Sequence, residues 1–109
     1  MMVTITRDRY VVISIITKEI GVNVQSIKTK VWHTYQKLYG ISGSSSAGLY
    51  FEHFDENLQS GIIRCSHDSL PSLLTTLALI TRVDDKDVLL YPSYVSGVIN
   101  KAKKYLSKS

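Results

Sequence analysis

A chain of 109 residues with 44% hydrophobic and 20% charged side chains has the size and make-up of one folded domain, and is too apolar to stay disordered. Its longest apolar run, Tyr10 to Ile16, is far short of the ~20 residues of a membrane-spanning helix, the first residues carry no apolar leader, and the lone Cys65 excludes an internal disulfide, so a cytoplasmic protein is expected. The net charge of +4 is unevenly spread: six Lys/Arg against two acids from Met1 to Gly40, three against seven from Ile41 to Tyr91, and four against none from Pro92 to Ser109, a pattern of basic ends suited to a polyanion and an acidic middle suited to a basic protein surface.

The first element is a strand, Tyr10 to Thr17, rich in β-branched residues. Both of its faces, Val11, Ile13, Ile15 and Tyr10, Val12, Ser14, Ile16, are mainly apolar, which predicts a sheet covered on both sides. Asn23 then caps a helix carrying Val24, Ile27, Val31, Tyr35 and Leu38 at helical spacing, with Gly40 as its stop. Lys30, His33 and Lys37 form a cationic stripe on another side of that helix. Gly43 to Gly48 has only small side chains and reads as a mobile loop.

Two extended segments, Leu49 to Phe54 and Gly61 to Ser66, flank the turn-like Asp55 to Asn57 and predict a hairpin. Asp68 or Ser69 caps a second helix with Pro71 in its first turn and Leu70, Leu73, Leu74, Leu77 and Ile80 on its apolar face. A charged turn at Asp84 to Asp87 leads to a fourth strand, Val88 to Tyr91, ended by Pro92. Ser96 caps a third helix with Val98, Ile99, Ala102 and Leu106 inward and Lys101, Lys104 and Lys108 on another face, beside Lys103.

The order β-α-β-β-α-β-α predicts an α+β fold over residues 1–109: a ferredoxin-like or RNA-recognition-like sandwich in which two helices cover one face of a four-stranded antiparallel sheet. The third helix would cover part of the other face, leaving Tyr10, Val12 and Ile16 as a partner surface.

A search for catalytic chemistry finds little. His53, Cys65 and His67 lack the short ligand spacings of a zinc site, and Asp84, Asp85 and Asp87 lack the Gly and Glu that complete a calcium loop. The Gly43 to Gly48 loop lacks the Lys-Ser/Thr ending of a phosphate-binding loop. Cys65 beside a histidine has the residue types of a nucleophile and base, but a buried thiol is the simpler reading. The sheet also offers few rings for base stacking, with Tyr10 alone on the first strand and none from Gly61 to Ser66. Nucleic acid would therefore be met through helices, loops and phosphates: Arg7, Arg9, Lys30, Lys37, Lys101, Lys103, Lys104 and Lys108 supply cations, and Ser96-Gly97 exposes backbone N–H groups at a helix start.

Arg9-Tyr10 opening an apolar strand, Ala47-Gly48-Leu49-Tyr50 entering the hairpin, Gly61 to Cys65 (GIIRC), Leu79-Ile80 ending the leucine-rich helix and Val95-Ser96-Gly97 before a basic helix stand in an order and spacing that run through most of the chain. In these it resembles the archaeal ribonuclease P protein component two family, related to a small conserved eukaryotic subunit of ribonuclease P and the mitochondrial-RNA-processing enzyme. Val98 departs from the threonine expected after Ser-Gly and removes a hydroxyl there.

The resemblance implies a non-catalytic subunit of the ribonucleoprotein that removes the 5′ leader of precursor tRNA. Its partners would be the catalytic RNA, a larger barrel-fold protein subunit and precursor tRNA, with no membrane and a heterotetramer among the assemblies open to it. No cofactor is expected on this chain, and magnesium is expected on the RNA. Arg64 is a further candidate for RNA phosphate, against a structural hydrogen bond or ion pair. The competing reading is a ferredoxin-like module that binds a regulatory ligand, and a more distant one is a stand-alone hydrolase using Cys65 or His67.

Overall fold

The computed structural model describes residues 7–19, 22–55 and 57–107. Strand β1 (Asp8–Ile16) is followed by α1 (Val24–Ala47), β2 (Tyr50–Asp55), β3 (Ser60–Ser66), a 3-10 turn at His67–Ser69, α2 (Leu70–Leu79), β4 (Arg82–Val83), β5 (Lys86–Asp87), β6 (Leu89–Ser96) and α3 (Ile99–Ser107). The main sheet has the order β2-β3-β1-β6 with every pairing antiparallel, so the predicted split β-α-β architecture is present. Among the described residues no helix is long and apolar enough to cross a membrane.

Period-two alternation on β1 divides the core in two. Val11, Ile13 and Ile15 join Ile63 and Cys65 from β3, Leu90 from β6, Ile27, Val31 and Tyr35 from α1, and Leu73 and Leu77 from α2. On the reverse face Val12 and Ile62 meet Ala102 and Leu106 of α3, with Tyr10, Tyr94 and Ile99 packed around them. The doubly apolar strand is thus explained within the chain. Val12, expected as partner surface, is 1% exposed because α3 lies over it.

The small-residue segment from Gly43 to Gly48 corrects the sequence reading, since α1 extends to Ala47. Gly40, with φ 74° and ψ −176°, does interrupt the first helical run, a backbone setting that side chains with a Cβ rarely adopt. The chain then re-enters helix, and the small residues are what permit it. Ser44 and Ala47 are buried, and the Ser44 hydroxyl donates to the Gly40 carbonyl (2.8 Å) across the break. The Asn23 cap is as predicted, its Oδ1 accepting the Gln25 and Ser26 N–H groups at 2.7 and 3.4 Å. At the start of α2, by contrast, neither Asp68 nor Ser69 makes a side-chain cap, and the chain enters the helix through the 3-10 turn.

Strand β6 also runs past its predicted end at Pro92, as far as Ser96. It lies at the sheet edge, and Pro92 sits opposite Ile13 where the β1–β6 register shifts, so its missing N–H interrupts little. The Ser93 hydroxyl donates to the Val12 carbonyl at that shift (3.2 Å). The charged turn after α2 is a small hairpin of β4 and β5, whose tip residues Asp84 and Asp85 both have positive φ, 51° and 64°. It places Arg82 alongside α1.

Candidate nucleic-acid interface

The stripe on α1 becomes one wall of a groove. Lys30, His33, Thr34 and Lys37 face Leu79 to Arg82 across a cleft of about 390 Å³, which continues past Lys30 and His33 toward Gln25 and Asp84. Helical spacing predicted the three residues on α1, but not Arg82 opposite them. Arg82 is steered by the Asp85 carbonyl, to which its guanidinium donates (2.7 Å), and by an exposed pair with Asp87 at 3.7 Å. Such an exposed pair adds little stability, so the guanidinium is oriented rather than locked. Lys30, Lys37 and Arg82 therefore border one concave surface, with Asp84 at one end of it and Asp87 beside Arg82.

A second cationic surface lies on α3. Lys101 and Lys104 flank Tyr94 and Tyr105, whose rings are stacked at 4.6 Å with planes 5° apart, while Lys103 lies on the other side of the helix near His53 and Phe54. Lys108 lies outside the described residues. The predicted cap at Ser96 is not the helix cap: Ser96 ends β6 and its hydroxyl accepts the Val98 N–H (3.0 Å) in a turn before α3, which begins at Ile99. Val98, expected inside, precedes the helix and is exposed, its carbonyl accepting the Lys101 and Ala102 N–H groups. A Cβ on Gly97 would lie 3.2 Å from a terminal nitrogen of Arg9, so the structure joins these two candidates at one corner. Arg7 is exposed at the same end of the sheet.

Arg64 lies with Tyr10 and Tyr50 in one row across β1, β3 and β2, through the pairings Tyr10 with Arg64 and Arg64 with Tyr50. Its guanidinium stands over the Tyr50 ring, 5.1 Å from the centroid. Neither an ion pair nor a hydrogen bond holds the Arg64 side chain among the described residues. Tyr50 escaped the sequence reading because strand register, which composition does not reveal, places it opposite Arg64.

The reverse face is left open at the far end of β1, where α3 does not reach. Ile16 (51% exposed), Leu89 (49%) and Tyr91 (52%) form an apolar patch there, so of the three residues expected on a partner surface Ile16 remains fully available and Tyr10 partly.

The residues weighed for chemistry are not gathered. Among the described residues no group of three or more His, Cys, Asp or Glu side chains could hold a metal ion. Cys65 is fully buried in the main core, and burial, reinforced by the negative charge of Asp8, pushes its thiol up to about 11. It is a neutral thiol at physiological pH and has no solvent-facing path to a substrate.

Comparison with known proteins agrees with this architecture. The chain is 29% identical over 103 residues to ribonuclease P protein component 2 of Pyrococcus furiosus, spanning 94% of this chain and 85% of that protein. It is 30% identical over 98 residues to the protein of the same name from Thermococcus kodakarensis, spanning 90% and 81%. The ribonuclease P/MRP protein subunit POP5 of Saccharomyces cerevisiae is 28% identical over 87 residues, 77% of this chain and 50% of the yeast protein. The fold is shared with a chain in the cryo-EM structure of yeast ribonuclease MRP, with a TM-score of 0.69, 15% identity, and coverage of 98% of this chain and 91% of that one. The family model for Rpp14/Pop5 proteins matches residues 9–107, from the first residues of β1 to the end of α3, and the chain belongs to the Rpp14/Pop5 family.

Proposed function

We propose that this chain is a protein subunit of ribonuclease P, the ribonucleoprotein that removes the 5′ leader of precursor tRNA. The observation that carries the reading is family membership across both layers of the fold, with archaeal relatives named for that enzyme aligned over most of their own length. In this role the chain holds RNA, and the hydrolysis belongs to the catalytic RNA and the magnesium ions it positions.

The groove lined by Lys30, Lys37 and Arg82 suits a sugar-phosphate backbone, because its cations converge on one concave strip and their attraction carries no sequence preference. Lys101 and Lys104 on α3, Arg9 beside Gly97 and the exposed Arg7 supply further contacts of the same kind. The Ile16, Leu89 and Tyr91 patch suits a protein, the larger barrel-fold subunit, since burying such a surface releases water without requiring charge.

Reconstitution tests the proposal. With the catalytic RNA and all other subunits present at modest magnesium, adding this chain is expected to raise the rate of leader removal from precursor tRNA. An unchanged rate on omission would remove the proposal. A salt titration separates it from a metabolite-binding module: RNA affinity carried by phosphate contacts falls steeply with ionic strength, whereas binding of an uncharged ligand does not.

A further inference from the structure

We infer that the Tyr50–Arg64 pair is a stacking site for one unpaired nucleotide of the bound RNA, separate from the phosphate-tracking groove on α1. The inference rests on the reading that this chain meets RNA.

Three observations lead to it. Tyr50 sits on β2, an edge strand of the sheet, and is 53% exposed although it is a large ring. One face of that ring is under the Arg64 guanidinium, at 5.1 Å, and the exposure belongs to the remainder. The guanidinium itself is held by the ring alone among the described residues, so its in-plane N–H donors are not spent on a carboxylate. A flat, partly open ring beside an arginine with free in-plane donors matches a nucleotide, with the base against the ring and the phosphate at the guanidinium edge. Tyr10 continues the row on the other side of Arg64, its ring packed against the α3 cluster.

Charge distinguishes this corner from the groove. Arg7, Arg9 and Arg64 share this end of the sheet with Asp8 and Asp68, and Glu52 is one row away on β2, so the electrostatic attraction is weak. The affinity has to come from stacking, which salt screens little. A protein ligand is disfavoured by the same arrangement, since the exposed apolar side chains Ile16, Leu89 and Tyr91 cluster at the opposite end of this face.

The test uses the full chain and an eight-nucleotide oligoadenylate carrying one 2-aminopurine, whose fluorescence is quenched on stacking. Wild-type protein and Tyr50→Phe are expected to quench it with the same affinity within twofold, because the phenyl ring keeps the stacking face. Tyr50→Ala is expected to weaken binding about tenfold, and Arg64→Lys severalfold, and the factor lost on Tyr50→Ala is expected to change little between low and high salt. Tyr50 is exposed, so both variants should fold, and their melting curves check that. Equal affinity of wild type and Tyr50→Ala overturns the inference, as does a Tyr50→Ala variant that loses a protein subunit in the reconstituted enzyme while retaining the oligonucleotide. The subunit reading is judged independently, by the effect of omitting the wild-type chain on precursor tRNA cleavage. If omission changes nothing while quenching still depends on Tyr50, the subunit reading fails and the stacking site stands.

Discussion

The ring of Phe54 covers the Cα of Gly61: a Cβ built on Gly61 would lie 2.5 Å from Phe54 Cγ and Cδ1. The cause is a register shift between β2 and β3, where His53 takes a positive φ of 49° and folds Phe54 across the neighbouring strand. Gly61→Ala is therefore expected to destabilise the protein by about 1–3 kcal/mol, the cost of overpacking. A double-mutant cycle with Phe54→Ala checks the cause, because once the ring is gone the added methyl should cost little. Equal costs in both backgrounds in urea melts would sink this account.

Helix α3 is attached by a small contact, Ala102 and Leu106 against Val12 and Ile62. Leu106→Ala should cost about 2 kcal/mol, near the low end for a buried leucine because the site lies close to the end of the helix. Loosening α3 also separates the Tyr94–Tyr105 stack, so the near-ultraviolet circular dichroism of tyrosine should fall with it. A variant that loses stability but keeps that signal would place the effect elsewhere.

Cys65 ties stability to alkaline pH. Burial holds its thiol at about 11 in the folded chain against an ordinary value of 9.0, so the folded state keeps a proton that the unfolded state releases. The contribution is complete below about pH 9 and is lost progressively up to about pH 11. Wild type should lose more stability over that window than Cys65→Ala, the comparison cancelling the tyrosines and lysines that titrate in both. A maleimide should label Cys65 only as fast as the protein unfolds, and rapid labelling of native protein would contradict the burial.

The groove on α1 makes an electrostatic prediction opposite to that for Tyr50. Lys30→Ala, Lys37→Ala and Arg82→Ala should each weaken RNA binding whatever the sequence, and each should lower the slope of log affinity against log salt by about 0.7–0.9. Arg82 decides the matter, since only the folded chain sets it opposite the α1 lysines. If its removal leaves the slope unchanged while Lys30→Ala alters it, the RNA follows the helix and not the cleft.

Local patterns in the chain were enough to specify the main strands, the starts of the helices and their general stacking. Alternation along Tyr10 to Ile16 announced two covered faces, the Asn23 cap and the spacing from Ile27 to Tyr35 announced α1, and the leucines from Leu73 to Leu77 announced α2, because each depends on neighbours a few residues apart. The lysines at 30, 37, 101 and 104 were visible for the same reason. What the sequence left open depends on partners far along the chain. Only packing shows that Val12 belongs under α3, that Pro92 is harmless on an edge strand, and that the small residues after Gly40 form a second helical run. Arg82 facing Lys30, and Tyr50 beneath Arg64, are likewise products of topology and strand register. A single residue of slip on a strand would turn each of those side chains to the opposite face, and no local feature of the sequence prevents that slip; the filled core on both sides of the sheet does.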